Sequence, residues 1–347
     1  MELGIYSFVD YDAQTNEGKN FKGQKRMVEL IEEIKLADEV GLEVFGIGEH
    51  HRKEYLSSSP AIILAAAASV TKNIKLTSAV TVLSSDDPVR VYQQFATLDL
   101  ISKGRAEIMA GRGSFIESFP LFGYDLQDYD ELFSEKLDLL VKLNEKGNIK
   151  WTGKHRPDIN DLSIYPRPYN NKIPIWLAVG GTPQSAIRAG KMGLPLALAI
   201  IGGAPDKFVP FIELYRESAL AAGHSEKAIV GINSHVYISE NSKKAADEFY
   251  PGYAEIMTNI GRERGWSGMT REHFDLMRSP KGSLLVGSTQ EVIDKILYEH
   301  ELFGNDRFLA QMTVGVMDHE KIMHSIELFG TVVAPAVKKA IANKNSK

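Results

Sequence analysis

Three ionisable side chains stand at the end of a short apolar run. Val44-Phe45-Gly46-Ile47-Gly48 leads directly into Glu49-His50-His51. Histidine is the side chain whose proton equilibrium lies near neutral pH, so one held rigidly at a strand end is a candidate general acid or base. Adjacent residues of extended chain point to opposite sides, so one of the two histidines faces inward and the other supports it. As a metal site the triplet supplies too few converging ligands, and no His-x-His or His-Glu-x-x-His occurs to help.

Two further segments suit an anion. Gly111-Arg112-Gly113-Ser114 sets a guanidinium between two glycines, where backbone approaches closely and the fork grips phosphate in a bidentate way. Gly180-Gly181-Thr182-Pro183-Gln184-Ser185 reads as a tight turn that opens a helix, with Thr182 at the N-cap and Pro183 at the first helical position. The strict capping box is absent, since Ser185 stands where Glu or Gln belongs. Such a helix start offers free N–H groups and the positive end of the dipole. If the two segments follow neighbouring strands, they close on one phosphate. Asp87, before Pro88, is expected to cap a helix. Among the other histidines only Asp318-His319 forms a pair worth following.

These residues need a scaffold, and the pattern around them supplies one. Short apolar or β-branched runs lie at Leu3–Phe8, Val44–Gly48, Ile74–Leu83, Ala106–Ala110, Ile175–Val179, Leu194–Ile201, Ile229–Ile238 and Phe308–Val314. Helical periodicity lies between them. Met27, Leu30, Ile31, Ile34, Ala37 and Val40 recur at three and four before Gly41, and Pro60 and Pro88 each open a helix. Later helices are expected over Asp130–Leu143, Pro183–Gly190, Asp206–Ala222 and Lys321–Val333. Eight strands alternating with helices predict an α/β fold, a (β/α)8 TIM barrel forming a single domain over residues 1–347. Residues 115–173 and 239–307 are too long for one helix each and are expected to be rim insertions, the second a lid. In this fold the site gathers at the carboxyl ends of the strands, where all three motifs fall.

Bulk properties narrow the function. The 347 residues are 44% hydrophobic, enough for a large core, and contain no cysteine. Disulfides, a thiolate nucleophile and zinc–cysteine sites are thereby excluded. The net charge of −5, without a basic stripe, argues against nucleic acid. No apolar run reaches the roughly 20 residues of a membrane span. The opening Met1-Glu2-Leu3-Gly4-Ile5 lacks a basic signal-peptide start, so a cytoplasmic enzyme is expected. The basic run Lys338 to Lys347 reads as a solvated tail.

In this order, the motifs resemble those of the bacterial luciferase-like, flavin-dependent monooxygenase superfamily over nearly the whole chain. The matching segments are Glu49-His50-His51, Ala79 to Arg90, Ser102-Lys103-Gly104-Arg105 leading to Gly111-Arg112-Gly113, Gly180 to Ser185, and Leu285-Val286-Gly287-Ser288-Thr289-Gln290-Glu291. The resemblance implies a barrel that binds reduced FMN (FMNH2), or in some relatives the deazaflavin F420. It gives His50 the catalytic role. Arg112 and the backbone at Ser114 match positions that hold the flavin phosphate, and Gly180, Gly181, Gln184 and Ser185 fall in a second phosphate-gripping segment. A non-proline cis peptide beneath the isoalloxazine ring maps to Ala79–Val80. True luciferases carry a reactive cysteine just before the phosphate-binding arginine, here Gly111, and an acidic residue in the strand-five segment, here Gly180. Both departures argue against a light-emitting aldehyde oxidase. The expected activity is that of a two-component monooxygenase. A separate flavin reductase supplies FMNH2, and O2 is activated as a flavin hydroperoxide to oxidise a small organic substrate. A homodimer is also expected, because the Ala61–Ala68 helix has a small, apolar surface. Three alternatives stand beside this reading: an F420-dependent hydride-transferring oxidoreductase, a flavin-binding protein without turnover, and a metal-dependent hydrolase using His50 or His51 with Asp318 or His319.

Overall fold

The computed structural model describes residues 1–12, 21–113, 115–145 and 147–345. Its centre is a ring of eight strands: β1 (Glu2–Ser7), β2 (Val44–Ile47), β3 (Lys75–Ser78), β4 (Ala106–Gly111), β5 (Ile175–Val179), β6 (Leu196–Ile200), β7 (Val230–Ile238) and β8 (Arg307–Gln311). Each pairs in parallel with the next, and β8 pairs in parallel with β1, so the sheet closes into a (β/α)8 barrel. All eight strands read from the sequence are present. The run Ile74–Leu83 is not one strand, however. It breaks at a cis peptide between Ala79 and Val80 and resumes as Thr81–Val82 beside β4.

Strand alternation sorts the side chains into two cores. Branched residues such as Ile5, Phe45, Leu76, Ile108, Leu177, Leu198, Ile232 and Phe308 join one large cluster with the surrounding helices. A smaller cluster inside the ring holds Tyr6, Val44, Ala79, Met109, Trp176, Ala197 and Leu309. The amino-terminal end is plugged by charge. Arg307 donates to Glu107 at 2.6 and 3.0 Å and to Glu2 at 2.6 and 2.8 Å, and its guanidinium lies 4.1 Å from the Trp176 ring centre. A buried, fully paired arginine closes that end and leaves the carboxyl ends as the mouth.

The helices start where expected at Pro60 and Pro88, and Asp87 caps the second by accepting from the N–H groups of Val89 and Arg90. The rim holds more structure than the sequence showed. Residues 115–173 contain, besides the expected helix, here Tyr129–Leu143, an antiparallel pair, Ile149–Trp151 with Ile159–Leu162. Residues 239–307 contain the helix Ser242–Arg264, a short helix Arg271–Met277, a strand Leu285–Gly287 that extends the sheet beside β7, and the helix Thr289–Phe303. The aromatic side chains of this insertion, Phe249, Tyr253 and Phe274, form a separate core with Tyr237 of β7. The C-terminal run is not simply a tail. Ala334–Asn345 is a helix that buries Val337 and Ile341 and pairs Lys338 with Glu43.

Candidate active site

The mouth is built from the segments that follow β1 to β5. After β2 the chain stays extended, and the three polar residues divide as alternation requires. Glu49 turns outward. One of its carboxylate oxygens pairs with His51 Nε2 at 2.9 Å and the other accepts the N–H of Val82 at 2.9 Å. Glu49 therefore ties the β2 end to the segment just past the cis peptide. His50 turns into a cage of rings. Phe8 lies edge-on at 4.3 Å between ring centres, Tyr55 at 4.5 Å and Phe115 at 5.3 Å. Gly48 makes this possible, because a Cβ there would stand 2.3 Å from the Phe8 ring. Burial in that cage, with His51 and the Arg52 guanidinium close by, pushes His50 down to about 3. It is a neutral imidazole at neutral pH.

Arg52 fixes the cage. It donates to Glu54, to Glu117 in the segment after β4, and with both terminal nitrogens to Glu263 on the helix Ser242–Arg264. Its guanidinium also lies 4.6 Å from the centre of the Phe115 ring. One arginine thus joins the β2 segment, the β4 segment and the insertion. The hydrogen bonds it donates to the Glu263 carboxylate hold its pKa above the usual value.

The anion-binding candidates converge as adjacent strands β4 and β5 allow. Arg112 donates to the Thr182 hydroxyl at 2.7 Å and to the Ser185 hydroxyl at 3.3 Å. Thr182 occupies the N-cap of the helix Pro183–Met192 but makes no side-chain cap bond, so its hydroxyl serves the arginine instead. The expected capping role is corrected accordingly. Gly180 and Gly181 face open space, with nothing within 4 Å of a Cβ placed on either. Gln184 is exposed at the same helix start and Ser185 is buried. Asp130, itself largely exposed, pairs with Arg112 at 2.7 Å. Ala79 is buried and Val80 half-buried at the mouth, the latter packed on Gly111, where a Cβ would meet it at 2.8 Å. Ser114 lies outside the described residues.

Other polar groups line the β7, β8 and β1 side. Asp10 accepts the N–H of Gly315 at 2.7 Å, and burial pushes its carboxyl up to about 7. His235 stands beside Gln311 in register, 5.7 Å from the Tyr253 ring of the insertion, and burial pushes it down to about 4. Asp318 and His319 go elsewhere. Asp318 caps its own helix, and His319 pairs with Glu32 and Glu33. Neither histidine of the triplet joins them. Among the described residues, the one grouping of three metal-type ligands is Asp128, Glu131 and His155, where Glu131 already bonds Lys154. The aromatic cage and Arg52 were missed in the sequence. Their only local signal was a cluster of rings and a cation just past three strand ends.

A closed parallel barrel with its convergent polar groups at the carboxyl ends of the strands defines a TIM-barrel enzyme. The chain belongs to the luciferase-like monooxygenase family, whose sequence model matches residues 1–306. It is 26% identical over 341 residues to an alkanal monooxygenase alpha chain from the Kryptophanaron alfredi symbiont, covering 91% of this chain and 94% of that one. Among solved structures, the monooxygenase RslO1 of Streptomyces bottropensis matches with a TM-score of 0.83 at 23% identity, covering 96% and 99% of the two chains. The oxygenating constituent of 3,6-diketocamphane monooxygenase of Pseudomonas putida, in complex with FMN, matches with 0.76 at 20% identity, covering 96% and 98%. An F420-dependent secondary alcohol dehydrogenase also matches with 0.76, at 18% identity, covering 97% and 98%. No helix among the described residues is long and apolar enough to cross a membrane.

Proposed function

We propose that this protein is the oxygenating component of a two-component monooxygenase: it takes FMNH2 from a separate flavin reductase and uses O2 to oxidise a small organic substrate. The observation that carries the reading is the convergence of a phosphate grip and a shielded histidine on one barrel mouth. The residues fit a flavin phosphate. Arg112 is preset by two hydroxyls, the adjacent helix start lacks a side-chain cap, and the glycines beside it leave open space. Reduced FMN, when bound, supplies the electrons that activate O2.

The protein's own part is then to bind, shield and move a proton. Arg112, Thr182, Ser185 and the backbone from Gly180 to Gln184 hold the phosphate. The side chain of Asp130 gives way to it, since an exposed ion pair is worth little. Val80 on Gly111 forms an apolar floor. Phe8, Tyr55 and Phe115 keep bulk water from His50, and Arg52 holds Phe115 and the insertion in place. His50, being neutral, accepts a proton from substrate or donates one after charging. A second copy of the chain is proposed to cover the outer face of the helix Pro60–Val70, where Ile62 is 70% exposed beside small alanines while Ile63 and Leu64 face the barrel.

The fold likeness does not choose between FMN and F420, because both neighbours match equally well. The test therefore carries two arms. Purified protein is mixed with FMN, NADH and a flavin reductase, and O2 uptake beyond that of the reductase alone is measured. The same protein is then assayed anaerobically for oxidation of reduced F420 by small ketones and aldehydes. Flavin-dependent O2 uptake supports the monooxygenase. Anaerobic F420 turnover without it replaces that reading by the dehydrogenase, and neither activity with tight flavin binding leaves a carrier.

A further inference from the structure

His50 needs a route for its proton, and its three ring neighbours offer none, for Phe8 and Phe115 have no acid–base group and the Tyr55 phenol is held in its neutral form, well above its usual range, by burial. One cavity of about 10 Å³ borders it, touching both histidines, Glu49, Glu117 and Ser118. That is the room a single water occupies. Two of its walls carry unmet hydrogen-bonding capacity, since Oε2 of Glu117 and Oγ of Ser118 are buried with no protein partner. Leaving each unpaired is unfavourable, and a water bonded to both removes that cost. Glu49 and His51 also line a larger cavity of about 200 Å³ on their outer side. That cavity reaches the exposed side chains of Ile62 and Phe122.

We infer that one ordered water, anchored by Ser118 and Glu117 between the two histidines, is the proton route of His50, and that the His51–Glu49 pair passes the proton to the outer cavity. The inference rests on the proposed acid–base role of His50. Glu49 sets the direction. With Nε2–H of His51 donated to the Glu49 carboxylate at 2.9 Å, Nδ1 of His51 is the acceptor the water requires. The transfer conserves protons and moves no electrons. The charged His50 ring gives its N–H proton to the water oxygen while the water gives one of its own to Nδ1 of His51; His51 gives its Nε2 proton to the Glu49 carboxylate, which releases it to water in the outer cavity, and the return runs in reverse. His51 and Ser118 are positioning and relay residues.

The test pairs a structural readout with a kinetic one. Diffraction data to about 1.2 Å are expected to show a water within hydrogen-bond reach of Ser118 Oγ and Glu117 Oε2, absent from Ser118→Ala. An empty cavity in the wild type overturns the inference, and it does so whether or not the protein binds flavin, so the two failures are distinguishable. In turnover, Ser118→Ala and His51→Gln are expected to lower kcat roughly tenfold with KM for reduced flavin unchanged. Both variants enlarge the solvent deuterium isotope effect, and added formate or imidazole restores the rate of His51→Gln in proportion to its concentration. Unchanged kcat, or a loss that buffer acids do not rescue, overturns the relay. If His51→Gln fails to fold, Ser118→Ala decides alone by the isotope effect and the missing water.

Discussion

Replacing His50 by glutamine tests whether this ring is held neutral by its cage. The unfolded chain carries the imidazole at its ordinary 6.5, and the folded protein holds it at about 3. Between those values the unfolded state binds a proton that the folded state refuses, so stability falls as the pH falls through the window. Each unit costs about 1.4 kcal/mol, so going from pH 7.5 to pH 5 removes roughly 2 kcal/mol through this one ring. His235, held at about 4, contributes a similar loss. Asp10 and Glu299 act in the opposite sense. Burial holds their carboxyls up to about 7 and about 8, so the folded state keeps protons that the unfolded state releases, and the fold gains as the pH falls. The wild-type profile is therefore shallow, and the information lies in the difference between proteins. His50→Gln loses packing at every pH, a constant offset of about 1 kcal/mol. Its acid-side slope changes by the full roughly 2 kcal/mol, so the variant overtakes the wild type by pH 5. Urea unfolding followed by tryptophan fluorescence at half-unit pH steps measures this. Parallel profiles for the two proteins refute the caged, neutral His50.

Three further outcomes follow from the geometry. Gly180→Val places its side chain in open space at a residue whose backbone demands no glycine. It should leave the melting temperature of the free protein unchanged while weakening FMN binding at least about thirtyfold, a loss of about 2 kcal/mol, as read by flavin fluorescence. Arg52→Ala removes the ties to Glu117 and Glu263. It should cost about 1–2 kcal/mol and speed proteolytic cleavage within 242–282, while unchanged cleavage would count against Arg52 as the tie. Ile62→Glu should raise the dissociation constant of the proposed dimer at least about tenfold in analytical ultracentrifugation, and a variant that associates as the wild type does removes that face as the interface.

The barrel was legible because buried parallel strands are continuous apolar runs, and all eight are long enough to show. What failed was short or depended on distant partners. Leu285–Gly287 and Ile149–Trp151 are three residues each, too brief for periodicity to register. Ile74–Leu83 reads as one strand, because Val80, Thr81 and Val82 continue its β-branched character across the cis bond. The C-terminal helix was hidden by its lysines, although Val337 and Ile341 lie one turn apart on its buried side. At the site, the two phosphate segments and His50 were visible as local motifs. The cage was not, because Phe8, Tyr55 and Phe115 come from three separate segments and meet only when β1, β2 and β4 close together. Thr182 was misread for a related reason: its capping position is local, but the arginine that claims its hydroxyl is 70 residues away.

This mouth is proposed to grip a flavin by its phosphate. Binding of FMN and of riboflavin, which lacks the phosphate, to the wild type and to Arg112→Ala tests it most directly. Two charge-assisted hydrogen bonds at a partly exposed site amount to about 2–3 kcal/mol. The wild type should therefore prefer FMN over riboflavin by roughly thirtyfold to a hundredfold, and Arg112→Ala should lose most of that preference while binding riboflavin as before. Equal affinities for FMN and riboflavin in the wild type, or a preference that survives removal of Arg112, would contradict the account.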